Sequence, residues 1–177
     1  MDASVLQLRR LLLSHTQDDL QEEWNALYSA LTPVHCAVDQ RLVCNPGDIC
    51  FLVEGTMLKV HLTSVVRVIQ SDQLIFVPLQ PKAIYFRALV PCQLLILSRE
   101  ALYHIIEVFP RAVRVYDSLL DVWHEQSDER LLLLEMTQKS ARIALFKQLH
   151  KEAFPYMVRK DIANYIAVSE EYLRKNF

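Results

Sequence analysis

Residues 158–177 read Val-Arg-Lys-Asp-Ile-Ala-Asn-Tyr-Ile-Ala-Val-Ser-Glu-Glu-Tyr-Leu-Arg-Lys-Asn-Phe, and the fold of the chain is best understood from this stretch. Ile162, Ala163 and Ile166 are spaced to form one apolar face of a short helix. After a link of two residues, Ser169 is placed as the N-cap of a second short helix. Two helices joined by so short a link must cross steeply, so the stretch predicts a helix-turn-helix.

The outer face of the second helix is charged and could meet the major groove of DNA. Glu171 could accept a hydrogen bond from cytosine, and Arg174 and Lys175 could contact guanine or phosphate. Two further cations at the start of the first helix suit phosphate. The residues that we expect to contact DNA are Arg159, Lys160, Ser169, Glu170, Glu171, Arg174 and Lys175.

A generic pair of helices inside a helical bundle is the alternative interpretation of the same stretch. Ala167 stands at the turn, where a residue tolerant of positive φ such as Gly is more usual. Asn176 stands where a further buried apolar residue would be expected. The rest of the chain has to decide between the two interpretations.

Composition bounds the class of protein. The chain has 177 residues, of which 52% are hydrophobic, and this fits one large domain with or without a small appendage. Its formal net charge is −2, so any attraction to nucleic acid must come from a local cluster of cations. No segment approaches the ~18 apolar residues that span a bilayer, and the N-terminus does not read as a signal peptide. We therefore expect a cytosolic protein without membrane contact.

The cysteine and histidine patterns predict neither a metal site nor a cofactor. Cys36, Cys44, Cys50 and Cys92 form no Cys-x-x-Cys pair, and we expect them to be reduced and mostly buried as small hydrophobic residues. The six histidines include no pair at i, i+4 spacing. We see no carboxylate pair, no nucleophile–base pair and no glycine-rich phosphate loop, and so do not expect an enzyme.

The first hundred residues divide into a helical part and a β-rich part. A stripe at helical spacing runs over residues 3–31, with Thr16-x-x-Asp19 resembling a capping box and Pro33 expected to end the helix. From Val34 to Leu97, short apolar runs separated by turns predict an antiparallel β-sandwich or barrel. Both glycines of the chain fall in these turns, where positive φ is expected.

A short helix is predicted after Ser98 and is expected to end near Pro110. One long helix should then run from Arg111 to about Lys139, or ~40 Å at the α-helical rise. A helix of this length needs a partner, and we favour a parallel homodimer seam over a helix that lies along its own β-domain. The residues expected at the seam are Tyr116, Leu119, Trp123 and Leu133.

The order of these elements resembles the Crp/Fnr family of transcription regulators over essentially the whole chain. The segments that carry the resemblance are Arg41–Asp48, Phe51–Gly55, Cys92–Glu100, Phe109-Pro110, Arg142–Ala144 and the C-terminal stretch. The resemblance implies an α+β protein. Residues 1–110 would form N-terminal helices and a jelly roll like a cyclic-nucleotide-binding domain. Residues 111–139 would form a dimerisation helix, and residues 140–177 an incomplete winged helix containing the helix-turn-helix.

The effector site of the family does not carry over. Members that bind cyclic nucleotide keep a Gly-Glu pair and, several residues later, an Arg-Ser pair that hold the ribose and the phosphate. Here the segment Phe76–Ile84 has no Gly-Glu, and Lys82-Ala83 stand at the Arg-Ser positions, so bidentate recognition is lost. Ser127 matches a polar position that reaches the ligand in relatives. Lys82, Ala83 and Ser127 therefore mark a degenerate pocket that we expect not to bind cyclic AMP or cyclic GMP.

The sequence thus predicts a homodimeric transcription regulator that binds a pseudo-palindromic DNA operator. A small-molecule effector of unidentified chemistry remains open as a further partner. Relatives follow the recognition helix with a β-hairpin wing, and because these residues stop inside that helix, we expect weak DNA binding. The alternative functions are a small-ligand-binding module and a protein-interaction module, either of them with a vestigial DNA reader.

Overall fold

The computed structural model describes residues Leu6, Leu8, Arg10, 20–80 and 83–176. After the helical residues Leu6, Leu8 and Arg10, the described elements are α1 (Gln21–Ala30), β1 (Thr32–Cys36), β2 (Ile49–Glu54), β3 (Thr56–His61), β4 (Ser64–Gln70), β5 (Gln73–Phe76), β6 (Ile84–Ala88), β7 (Cys92–Leu97), α2 (Arg99–Val108), α3 (Ala112–Ser127), α4 (Glu129–Glu135), α5 (Lys139–Leu149), α6 (Arg159–Tyr165) and α7 (Glu170–Lys175). The predicted α+β architecture, with antiparallel sheets and packed helices, is confirmed.

The seven strands form two antiparallel sheets, with the strand orders β1-β7-β2-β5 and β4-β3-β6. Pro33 does not end the N-terminal helix as the sequence suggested, because α1 already ends at Ala30 and Pro33 lies within β1. That strand is at the edge of its sheet, where the missing N–H of proline costs no central ladder bond. The capping box expected at residues 16–19 lies outside the described residues.

The two glycines hold turns of the roll, as predicted. Gly47 has φ +89° and Gly55 has φ +101°, both in the left-handed region that favours glycine. At Gly55 a side chain would also collide with the neighbouring loop, because a Cβ there would lie 2.4 Å from the carbonyl oxygen of Pro91. Both turns therefore require glycine for conformation, and the second also for space.

Three buried clusters hold the fold together. One joins α1, α2 and α3 to the roll around Trp24, and a second fills the interior of the roll. Three of the four cysteines are buried and the fourth is half-buried, and burial raises the pKa of Cys44 and Cys92 to about 11. The third cluster, called here the outer-face cluster, joins the opposite face of β3 and β4 to the C-terminal helices, and its members include Leu58, Val68, Leu133, Phe146 and Tyr165.

The expectation of one helix from Arg111 to about Lys139 is wrong. The helix α3 ends at Ser127, the chain turns at Asp128, and the seven-residue α4 follows. Because α4 turns toward the roll, Leu133 enters the outer-face cluster and is 0% exposed. With 16 residues, α3 is about 24 Å long and lies along its own roll. Among the described helices, none is long and apolar enough to cross a bilayer.

Candidate nucleic-acid interface and effector pocket

A tight turn joins α6 to α7. Ala167 adopts φ +54°, a left-handed conformation that costs a residue with a Cβ about 1–2 kcal/mol. The turn recovers hydrogen bonds in return, because the backbone N–H of Val168 donates to the carbonyl of Ala163 at 3.0 Å. The sequence placed the turn correctly, and alanine takes the conformation that glycine usually supplies.

Ser169 caps the second helix of this pair. Its hydroxyl oxygen accepts a hydrogen bond from the backbone N–H of Tyr172 at 3.1 Å, as its position in the sequence predicted. Leu173 is fully buried against the other helices, so α7 has one anchored face and one open face. The acidic first turn and the basic last turn of α7 both suit the helix dipole.

The residues predicted to contact DNA are all exposed. Arg159 and Lys160 are exposed at the start of α6, and Arg174 is exposed on α7. Glu171 and Lys175 form an ion pair one helical turn apart, with a distance of 2.8 Å between Oε1 and Nζ. Because both side chains are about two-thirds exposed, the pair is weak and could open cheaply when either partner meets a base or a phosphate.

Arg142, on α5, binds the turn between α6 and α7 to the end of α4. Its guanidinium donates to the carbonyls of Met136 at 2.7 Å and Leu134 at 3.3 Å, and to those of Ile166 and Ala167 at 3.3 Å each. A planar guanidinium can serve several carbonyls at once, which an ammonium group cannot do in the same geometry. Arg142 therefore fixes the position of the open face of α7 relative to the rest of the molecule.

The pair α6–α7 is also docked on the roll. Tyr165 is fully buried in the outer-face cluster, and its carbonyl accepts from Nε of Arg130 at 3.0 Å. Asp161 lies 3.5 Å from Arg87 on β6, which also pairs with Asp39. Burial raises the pKa of Asp161, and Arg87 opposes that shift. The docking leaves the predicted DNA-contacting residues on the solvent side.

Around Ser127, one of the residues predicted for the effector pocket, side chains of the chain itself pack closely. Phe76 packs against Tyr116, with ring centroids 6.1 Å apart, and against Trp123 at 5.5 Å. Ser127 accepts a hydrogen bond from Nη1 of Arg67 at 3.3 Å and donates to the carbonyl of Trp123 at 2.6 Å. Aromatic rings and a guanidinium thus fill space between the roll and α3.

Lys82 and Ala83 were assigned to the same pocket. Lys82 lies outside the described residues, and Ala83 has φ +56°, so its backbone forms a turn. The carbonyl of Ala83 accepts from the backbone N–H of Leu62 at 2.8 Å.

Four polar residues that the sequence did not point to, Arg67, Gln73, Gln126 and Glu129, connect the roll to α3 and α4. Gln126 accepts from the backbone N–H of Leu74 at 2.8 Å, and Glu129 accepts from Gln73 at 3.1 Å. Burial raises the pKa of Glu129 and lowers that of Arg67. The position of Arg67 inside the apolar run Val65–Ile69 could have indicated this connection. A strand seldom buries a charged side chain unless another element supplies a partner.

The residues predicted for the dimer seam fall into two groups. Leu119 is 5% exposed and Leu133 is fully buried, both among residues of this same chain. Tyr116 and Trp123 are partly exposed on α3. Apolar surface on these helices is instead offered by Val113, Leu131 and Leu132, which are 43%, 58% and 54% exposed.

No protein-family model matches the chain, and no curated protein matches it either. Solved structures do match. FixK2 from Bradyrhizobium japonicum has a TM-score of 0.65 at 14% identity, over 82% of this chain and 82% of that chain. A Eubacterium rectale protein assigned to the Crp/Fnr family of transcriptional regulators has a TM-score of 0.65 at 10% identity, over 88% and 81%. A cyclic nucleotide-binding domain from Methylobacillus flagellatus has a TM-score of 0.58 at 15% identity, over 76% and 86%.

At the level of fold, the chain is similar to Crp/Fnr-type regulators and to a cyclic nucleotide-binding domain. The chain has the architecture of a cyclic-nucleotide-binding domain, as the resemblance of its sequence implied. At 10–15% identity the likeness concerns the fold, so the activity has to be argued from the residues of this chain.

Proposed function

We propose that the chain is a DNA-binding transcription regulator that acts as a homodimer and does not respond to cyclic nucleotides. The proposal rests mainly on one observation. The α6–α7 pair has a tight turn followed by a capped helix, as a helix-turn-helix does, and the charged face of α7 and the cations at the start of α6 are exposed. The fold of Crp/Fnr regulators, in which such a pair follows the roll, supports the same function.

The proposed homodimer is supported by apolar surface along α3 and α4. Val113 and Leu120 lie seven residues apart on α3 and so near one line of that helix, and the well-exposed Leu131 adds apolar surface on α4. Leu119 and Leu133, which the sequence analysis placed at the seam, stabilise the single chain instead. The proposed seam therefore consists of Val113, Leu120 and Leu131 in place of the buried Leu119 and Leu133.

The proposed effector site is degenerate because the chain fills it. Phe76 occupies the segment where nucleotide-binding relatives of the family keep Gly-Glu, and its ring packs on α3. Arg67 is tied to Ser127 from the side of the roll. A ligand would have to displace both side chains, so no cyclic nucleotide is expected to regulate this protein.

The salt dependence of DNA binding tests the proposed interface. Non-specific binding to a random-sequence duplex should weaken linearly on a log–log plot against salt, because each neutralised phosphate releases counterions. Replacing Arg159 or Lys160 by Ala should lower the slope by about one each. Fluorescence anisotropy with a labelled duplex measures the slope, and Lys151→Gln, at an exposed cation between α5 and α6, is the control. Equal slopes for the parent and both Ala variants would place the DNA contacts elsewhere.

A further inference from the structure

A cavity lies between the roll, α2 and α3, next to the contact of Phe76 with Tyr116. Its volume is about 350 Å³, within the range of about 300–1,000 Å³ that small-molecule sites occupy. It is bounded by the turn at Gly47, the end of β5, the helix α2 and the start of α3. The residues that matter for its chemistry are Val77, Leu79, Arg99, Tyr103, Ile106 and Val113.

The walls of the cavity are held in place by a buried carboxylate. Asp48 is 3% exposed, and it accepts from the backbone N–H of Asn45 at 2.7 Å and from that of Arg99 at 3.1 Å. One side chain thereby joins the turn to the first residue of α2. The backbone N–H of Gly47 also donates to the carbonyl of Val77 at 3.0 Å, which ties the turn to the chain after β5. The cavity is therefore preformed by hydrogen bonds on two of its sides.

The side chains that line the cavity are mostly apolar, with one cation among them. The side chain of Arg99 runs past the turn so closely that a Cβ on Gly47 would lie 2.7 Å from its Cδ. Its only ion pair among the described residues is with Glu100 at 3.5 Å, and the two side chains are 39% and 69% exposed. An exposed pair of this kind contributes little and exchanges readily, so the guanidinium can bind another anion.

Exposed apolar surface surrounds the same opening. Leu79 is 64% exposed, Tyr103 is 61% exposed and Val113 is 43% exposed. Apolar residues in such numbers around a concave site are typical of a place where an apolar ligand is bound. Tyr103 adds a hydroxyl that can donate a hydrogen bond to a polar group of a ligand.

The geometry points to a binding site for a small amphipathic carboxylate, with its apolar body in the cavity and its carboxylate on Arg99. A medium-chain fatty acid or an arylalkanoic acid has this chemistry. Phe76 and Tyr116 line the cavity as well as packing on each other, and Val113 also belongs to the proposed seam, whereas none of the predicted DNA-contacting residues lines it. Ligand binding at this site can therefore be tested apart from DNA binding.

Calorimetric titration of the full chain with octanoate, and with the neutral octanamide, tests the site. Octanoate should bind saturably at one site per chain, and octanamide should bind at least about tenfold more weakly, because it lacks the charge that Arg99 recognises. Arg99→Gln should weaken octanoate binding by a similar factor and leave octanamide binding unchanged. Ile106→Trp should fill the cavity and weaken both ligands, and Lys151→Gln should change neither.

Octanamide is also the control for folding, because its unchanged affinity for Arg99→Gln shows that the cavity is intact. The inference is overturned if octanoate does not bind, or if octanoate binds the parent and Arg99→Gln equally. It is also overturned if Ile106→Trp has no effect. Octanoate binding should also be measured at protein concentrations below and above any monomer–dimer transition. Weaker binding by the dimer would show that a second copy of the chain covers this opening, and it would reject the ligand site.

Discussion

At the scale of single residues, His150 is a buried polar group in an apolar setting. It is 0% exposed at the end of α5, between the rings of Phe146 at 5.0 Å and Tyr165 at 5.4 Å. Neither ring nitrogen has a hydrogen-bond partner among the described residues. Burial favours the neutral imidazole and lowers the pKa of His150 to about 4.

This histidine should make the protein less stable in mild acid. Below its ordinary pKa of 6.5, the unfolded chain binds a proton that the folded chain refuses until pH is near 4. The stability that His150 contributes by staying neutral is therefore fully present at pH 7. As pH falls from 6.5 toward 4, the free energy of unfolding decreases by about 3 kcal/mol for a shift of this size. Urea denaturation at several pH values between 7 and 4.5 measures the loss.

The variant His150→Phe should be more stable than the parent and should lose less stability on acidification, because an apolar ring replaces an unsatisfied one. His104→Phe is the matched control, since His104 is exposed on α2 and its replacement should leave the acid dependence as it is in the parent. Parallel pH curves for the parent and His150→Phe would mean that His150 does not titrate differently on folding.

At the scale of elements, the caps and turns that depend on a few neighbouring residues could be predicted from the sequence. Ser169 could be recognised as an N-cap and Gly47 and Gly55 as turn residues, because a side-chain oxygen or a missing Cβ acts within a few residues of its position. The break at Asp128 could not be recognised, since no proline or glycine marks it. It lies where Gln126 and Glu129 bond to the roll, which the spacing of residues along one helix does not reveal.

The apolar stripe of α3 shows the same limit. An apolar stripe at helical spacing predicts that one face of the helix is buried. It does not indicate whether the same chain or a partner chain buries it. Leu119 and Trp123 were assigned to a partner chain, whereas Leu119 packs into the cluster that joins α3 to its own roll. The loss of the effector site was predicted from the missing motif residues and stays a prediction. The contacts of Phe76 and Arg67 with α3, on which the proposal now rests, became evident only with the tertiary structure.

The contact between β5 and α3 gives the second prediction. Cyclic AMP and cyclic GMP should give no binding heat, because Phe76 and Arg67 occupy space next to Trp123 and Ser127. Phe76→Gly should open this space at a cost of several kcal/mol in stability, as truncation of a packed aromatic ring does. Isothermal titration of the parent with each nucleotide measures the binding. Saturable binding at micromolar concentration would show that the pocket is functional.

At the scale of the whole molecule, the proposed seam gives the third prediction. Leu131→Glu should shift the protein from dimer to monomer, because it places a charge on the exposed apolar surface of the proposed seam. Sedimentation velocity at tens of micromolar, a usual range for weak dimers, measures the shift. Val108→Glu is the matched control, because Val108 is 54% exposed but lies on α2.

A parent protein that sediments as a monomer under these conditions would contradict the seam, and so would equal dissociation by the two Glu variants. Leu119→Asp is unsuitable for this purpose, because Leu119 is a core residue of the single chain and its loss would unfold the protein. The structure thus changes which residue has to be altered to test the same idea.

Selection of DNA sites from a pool of randomised duplexes by the intact chain tests whether the protein is a homodimeric DNA-binding regulator. Two recognition helices related by a two-fold seam must enter successive major grooves, so the account predicts an enriched pseudo-palindrome with half-sites about one helical turn, or roughly 34 Å, apart. Glu171→Ala should relax the preference at one position of each half-site. Enrichment of a single asymmetric half-site, or of no sequence at low salt, would contradict the account and favour a protein-interaction module.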